Sequence, residues 1–145
     1  HNAKVAFTLS DAFCVERHRE KMKDFVKNNV DILFSNEGEI KSLYEIDILE
    51  DAYKLLKEDV AIGVVTQGDK GAAIIEQKAI HKIEAFSTKV IDTTGAGDFF
   101  AAGFLAGLSK NLDVMKAGVM GAACSAEIIS HYGGRPENNL TIYKE

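Results

Sequence analysis

The stretch Val90-Ile91-Asp92-Thr93-Thr94-Gly95-Ala96-Gly97-Asp98-Phe99-Phe100 joins a short β-branched run to small residues, then a carboxylate, then an apolar helical pattern. The order predicts a strand at residues 90–91, an anion cradle, and a helix starting near Asp98. Gly95, Ala96 and Gly97 carry almost no side chain, so a phosphate could reach their backbone N–H groups, drawn also by the positive end of the helix. Asp98 would stand at the mouth of that cradle. A carboxylate beside bound phosphate is unfavourable unless it has a task, and the fitting task is to orient or accept the proton of a substrate hydroxyl during phosphoryl transfer. The plainer alternative makes Asp98 an N-cap and the glycines a tight turn.

Two other glycine motifs are excluded. A P-loop needs Lys and then Ser or Thr after its last glycine, whereas Asp98 and Phe99 follow Gly97. A dinucleotide fingerprint needs Gly or Ala at Phe100 and an acidic residue about 20 positions on at the end of a further strand, so a NAD-binding oxidoreductase is disfavoured.

The elements that must hold this segment follow from hydrophobic periodicity. Residues 5–9 read as a buried strand, and Ser10-Asp11 as the cap of a helix through Val15, Met22, Phe25 and Val26 with a charged, solvated opposite face. Residues 31–35 form the next apolar strand, followed by a helical pattern at Leu49, Ala52, Tyr53, Leu55 and Leu56. Residues 60–66 are nearly continuously apolar, as in a strand covered on both faces. Turn chemistry at residues 67–71 leads to two antiparallel strands at 72–75 and 80–86. Helices at about 98–108 and 114–130 are rich in glycine, which costs about 1 kcal/mol per helix position relative to alanine. Close helix packing would account for it. The whole alternation predicts an α/β fold, a three-layer Rossmann-like sheet with helices on both faces, spanning residues 1–136 with a polar tail at 137–145. Ligands of such sheets sit at the carboxyl ends of strands, where Asn36, Thr66, Gly68 and Asp98 would share one rim.

A chain of 145 residues with 46% hydrophobic and 27% charged residues has the composition of one globular domain. A net charge of −5 argues against nucleic acid or an anionic membrane as partner. Cys14 and Cys124 are far apart and no signal peptide or membrane span is visible, so a cytoplasmic location is expected. Cys14 and His18 could share a helix face, but with no further ligand nearby they do not make a metal site. The start at His1 rather than Met reads as a tag remnant or a cut from a longer chain.

Asp92-Thr93-Thr94-Gly95-Ala96-Gly97-Asp98 resembles the C-terminal signature of the ribokinase-like (PfkB) family of carbohydrate and nucleoside kinases. Asn36-Glu37-Gly38-Glu39 resembles that family's Asn-x-x-Glu motif, and Val65-Thr66-Gln67-Gly68-Asp69-Lys70-Gly71-Ala72 its nucleotide-binding strand and turn, in the right order. Residues 8–19 and 129–136 look most like the bacterial adenosine-kinase-like branch.

The resemblance implies that Asp98 is the base toward the acceptor hydroxyl and that Gly95, Ala96 and Gly97 donate to the transferred phosphoryl group. It implies ATP as the donor, contacted also at Thr66 and Gly68, and Asn36 with Glu39 acting on Mg²⁺ through water. The alternative, Asn36 as a helix N-cap with Glu39 closing a capping box, is also chemically sound. Asp92 and Thr94 match positions that help hold a monovalent cation, K⁺, in relatives. The resemblance covers about the C-terminal half of the family, without the lid sheet and most of the sugar or nucleoside site. A fragment of this kind would lack turnover by itself and would self-associate or pair with an N-terminal half. The rival reading is a truncated, non-catalytic nucleotide-binding or assembly module.

Overall fold

A computed structural model describes residues 3–140; His1 and residues 141–145 of the expected tail lie outside the described residues. The chain divides into two compact units, one running up to Gln67 with Ala73–His81 added, the other made of Gly68–Ala72 and the residues from Lys82 onward.

The first unit is built by strand-helix crossovers. It contains β1 (Ala6–Thr8), α1 (Ala12–Asn29), β2 (Ile32–Asn36), α2 (Glu37–Tyr44), α3 (Leu49–Asp59) and β3 (Ile62–Thr66). The Asp11 carboxylate caps α1 by accepting the Phe13 N–H at 3.0 Å. The face of α1 expected to be solvated is partly engaged, since Arg19 Nε donates to the Ser42 carbonyl at 2.7 Å and its Nη1 to Glu45 at 3.0 Å. β1, β2 and β3 pair in parallel, with Ala6 opposite Ile32 and Ile32 opposite Ile62. Ile32, Leu33, Phe34 and Ser35 are all buried, as parallel strands covered on both sides require. Leu9, Val15, Val26, Leu33, Ile40 and Leu56 belong to one core with Val65, Ala73 and Ile75.

β4 (Ala72–Glu76) and β5 (Ile80–Ile83) complete a sheet of order β1-β2-β3-β4-β5. Glu76 and Ala79 exchange N–H to O bonds of 2.9 and 3.3 Å, closing a tight antiparallel hairpin. β5 stops at Ile83, short of the expected residue 86.

In the second unit α4 (Ala96–Ser109) and α5 (Val114–Ile128) pack on each other through glycines. A Cβ on Gly103 would lie 2.7 Å from the Met120 carbonyl oxygen, and one on Gly121 2.8 Å from that of Phe100. The helical glycines therefore have a packing reason.

Two further elements differ from the sequence expectation. Residues 90–91 form no strand; Val90 is 59% exposed, and the segment is tied instead by the Ile91 N–H to the Ile129 carbonyl at 2.8 Å. Asp98 therefore does not follow a strand end. α2 was expected only in the reading of Asn36 as an N-cap, and it forms directly from the residues ending β2.

Candidate active site

Asn36 and Thr66 are register partners at the carboxyl ends of β2 and β3, so the parallel pairing itself brings those two motifs together. Asn36 is the N-cap of α2: its side-chain oxygen accepts the Glu39 N–H at 2.8 Å. Glu39 reciprocates, taking the Asn36 backbone N–H on Oε2 and its Nδ2 on Oε1, both at 2.9 Å. The capping box is thus real. Burial raises the Glu39 pKa above the ordinary carboxylate range, against the opposing Asn36 backbone bond and with help from Asp11. The Thr66 hydroxyl donates to the Ser35 carbonyl at 3.4 Å.

Gly68 lies in the second unit, at the start of a short 3₁₀ turn (Gly68–Lys70), with φ of +61° and open space where a Cβ would stand.

The Asp92 to Asp98 segment also belongs to the second unit. Asp92 holds the loop as a hub, Oδ1 accepting the Thr94 N–H at 2.9 Å and Oδ2 the Gly133 N–H at 3.1 Å. Its pKa is held below the usual carboxylate value, first by the Thr94 side-chain and backbone bonds, then by Gly133. Gly95, not Asp98, is the N-cap of α4, and its φ of +82° is a left-handed conformation that glycine adopts without strain. The helix starts two residues earlier than its expected onset near Asp98, so Asp98 is its third residue and the N-cap reading of that carboxylate is corrected. The Ala96 N–H is spent on the Thr93 carbonyl at 3.2 Å. Those of Gly97 and Asp98 precede the first helical acceptor and take no bond among the described residues. The Asp98 N–H was missed from the sequence because the onset was set too late.

Gly97 is informative by what surrounds it. A Cβ built there meets nothing within 4 Å. Among the described residues neither packing nor backbone strain asks for glycine at this position, which leaves room for an approaching ligand. The Asp98 side chain is exposed, and among the described residues no hydrogen bond or ion pair occupies it. This geometry is a cradle of free N–H donors with an uncommitted carboxylate beside it, suited to an anionic group and an adjacent proton transfer.

Among the described residues no three His, Cys, Asp or Glu side chains cluster as a metal site. No helix of the described residues is long and apolar enough to cross a membrane.

The fold is of the ribokinase-like α/β class. Residues 1–140 match the pfkB family carbohydrate kinase description, and the chain belongs to that family. It is 36% identical over 120 residues to an uncharacterized sugar kinase of Archaeoglobus fulgidus, covering 83% of this chain and 48% of that protein. The crystal structure of adenosine kinase from Sinorhizobium meliloti superposes with a TM-score of 0.96 at 33% identity, over 99% of this chain and 45% of that one. Arabidopsis thaliana ribokinase, solved with ribose and ATP, matches at 26% identity and a TM-score of 0.68, over 73% of this chain and 36% of that one. The chain thus spans less than half the length of these relatives.

Proposed function

We propose that this chain is the ATP-binding, base-carrying C-terminal portion of a kinase that moves the γ-phosphoryl group of ATP to a hydroxyl of a sugar or an adenosine-like nucleoside. Residues 1–136 make up that portion and 137–145 its tail. The observation that carries the reading is Gly97, a glycine for which the protein's own packing has no use, set between unspent N–H donors and the free Asp98 carboxylate.

The acceptor oxygen forms a bond to the γ-phosphorus, the bond from that phosphorus to the bridging oxygen breaks, ADP departs, and Asp98 takes the hydroxyl proton. Gly95, Gly97 and Asp98 N–H groups stabilise the negative charge on the transferred group, with Ala96 holding the turn; loss of one such donor typically costs ~10²–10³ in rate. Thr66 and Gly68 contact nucleotide phosphate in this reading. Mg²⁺, when bound, neutralises charge between phosphate oxygens. Asn36 and Glu39 fit it through water, because Mg²⁺ gives up its hydration reluctantly while one lone pair on the Asn36 oxygen and on each Glu39 oxygen is already held by the capping box. Asp92 retains lone pairs beyond its two N–H bonds, and with Thr94 it can contribute to a monovalent cation, K⁺. The charge and composition suit a cytoplasmic enzyme without nucleic-acid or membrane partners.

The test is titration of the protein with Mg·ATP, followed by calorimetry and by backbone amide NMR. Saturable, weak binding with shifts at Gly95 to Asp98 is expected. No saturable shift there at millimolar nucleotide would sink the reading.

A further inference from the structure

α5 is apolar over most of its length, yet Glu127 near its end is only 5% exposed. A carboxylate so placed is unfavourable unless it is well paired. Its Oε1 accepts from the Glu137 N–H at 3.0 Å, the Asn138 N–H at 2.9 Å, and Asn138 Nδ2 at 3.3 Å, while His131 Nε2 stands 3.3 Å away. Oε2 is buried with no partner among the described residues. Every donor comes from chain beyond α5. One carboxylate therefore folds that chain back over the helix end.

His131 Nδ1 lies 3.3 Å from the Tyr132 carbonyl, so both ring nitrogens face acceptors. Only the doubly protonated imidazolium donates to both. Next in the chain come Gly133, whose N–H holds Asp92 Oδ2, and Gly134, which lies against the cradle: a Cβ on Gly95 would stand 3.9 Å from its Cα and 3.8 Å from Ile128 Cγ1.

We infer that Glu127 is a positioning residue for the phosphate cradle. It clamps the segment from His131 to Asn138, which holds Asp92 through the Gly133 N–H, and Asp92 in turn fixes the turn from Thr94 into Gly95. The consequence for nucleotide binding rests on the functional reading above; the mechanical coupling does not. The carboxylates facing His131 are Glu127 from α5, Glu137 from the segment beyond it, and Asp92 from the loop before α4. Cys124 lies one turn before Glu127, its thiol pushed up by burial and by that carboxylate. Burial opposes charge on His131, but the Tyr132 carbonyl, Glu137 and Glu127 outweigh it and raise its pKa. A raised folded-state value means that the clamp is complete below the ordinary histidine pKa and loosens as pH rises through the higher one.

The experiment follows the Gly133 and Gly95 amides and the His131 imidazole by NMR, without nucleotide, from about pH 5.5 to 9 where histidine titrates. Both amides should shift with the His131 midpoint. Glu127→Gln should abolish that shared midpoint, speed Gly133 amide exchange, and weaken Mg·ATP about tenfold, the scale of a lost charge-assisted hydrogen bond, with circular dichroism unchanged. Amides indifferent to His131 titration in the unmodified protein would overturn the inference, as would a folded Glu127→Gln protein with unaltered Gly133 exchange. Should that variant fail to fold, the titration of the unmodified protein decides. If the unmodified protein binds no Mg·ATP, the functional reading fails while the amide measurements still decide the clamp.

Discussion

The Gly133 N–H donates to Asp92 Oδ2 at 3.1 Å across 41 positions of chain, tying the loop before α4 to the loop after α5. Asp92→Ala removes this bond and the one from Thr94 together, so the turn into Gly95 loses both of its side-chain anchors. Because the Asp92 pKa is depressed, its contribution is present above the ordinary carboxylate pKa and is lost as pH falls through the lower folded-state value. Gly133 and Thr94 amide protection, taken relative to intrinsic exchange at each pH, should therefore fall on acidification in the unmodified protein and be low at every pH in Asp92→Ala. High, pH-independent protection in the variant would show that other contacts hold the loop.

Gly97→Ala separates binding from folding. With nothing within 4 Å of the new Cβ, the substitution should leave stability unchanged or raise it by up to about 1 kcal/mol, the usual gain of alanine over glycine in a helix. Mg·ATP affinity should fall at least tenfold, because the methyl group occupies the space that a phosphate needs. Denaturant unfolding and calorimetry on the same preparation check both halves. Unchanged affinity would remove Gly97 from the site.

Gly121→Ala should do the reverse. Its Cβ would lie 2.8 Å from the Phe100 carbonyl oxygen, a backbone atom that cannot swing aside. The overpacking cost of about 1–3 kcal/mol exceeds the alanine helix gain, so unfolding should shift to lower denaturant. A neutral or stabilised variant would mean that α4 and α5 adjust more freely than their packing indicates.

Asp98→Asn addresses the chemistry. In a chain that also carries an acceptor-binding half of the family, it should lower turnover by ~10²–10⁴, the usual range for a lost general base, with little change in ATP affinity. A loss confined to the Michaelis constant for ATP would instead assign Asp98 to nucleotide binding.

How far the sequence was readable depended on what each residue's neighbours were. β2 and β3 were legible because a strand buried on both faces needs a nearly continuous apolar run, which residues 32–34 and 60–65 provide. The glycines of α4 and α5 were legible as packing glycines because their repetition is costly without a close partner. Val90 and Ile91 misled because β-branched residues favour strands only where a pairing edge exists, and here Ile91 bonds to a helix end. α2 was legible only through its capping box at Asn36 and Glu39, because Gly38 weakens its propensity and eight residues show little periodicity. Glu127 carried a signal that went unused: a lone carboxylate among Ala122, Ala123, Ala126, Ile128 and Ile129 on an apolar helix must find partners. Those partners lie beyond the helix, where spacing alone gives no direction.

β1 bears on assembly. It pairs with β2 on one side and with no described strand on the other, and Val5 beside it is 41% exposed. Uncovered strand edges with apolar flanks recruit further strands, so the protein should self-associate through this edge. Phe7→Lys would charge the edge but also break the Phe7–Phe25 edge-to-face contact, whose centroids are 5.2 Å apart, at a cost of about 0.5–1.5 kcal/mol. Val5→Lys places the same charge on an exposed side chain and leaves the ring pair intact. Sedimentation should show concentration-dependent association for the unmodified protein and a shift toward monomer for Val5→Lys at equal stability. A concentration-independent monomer in both cases would refute association through β1.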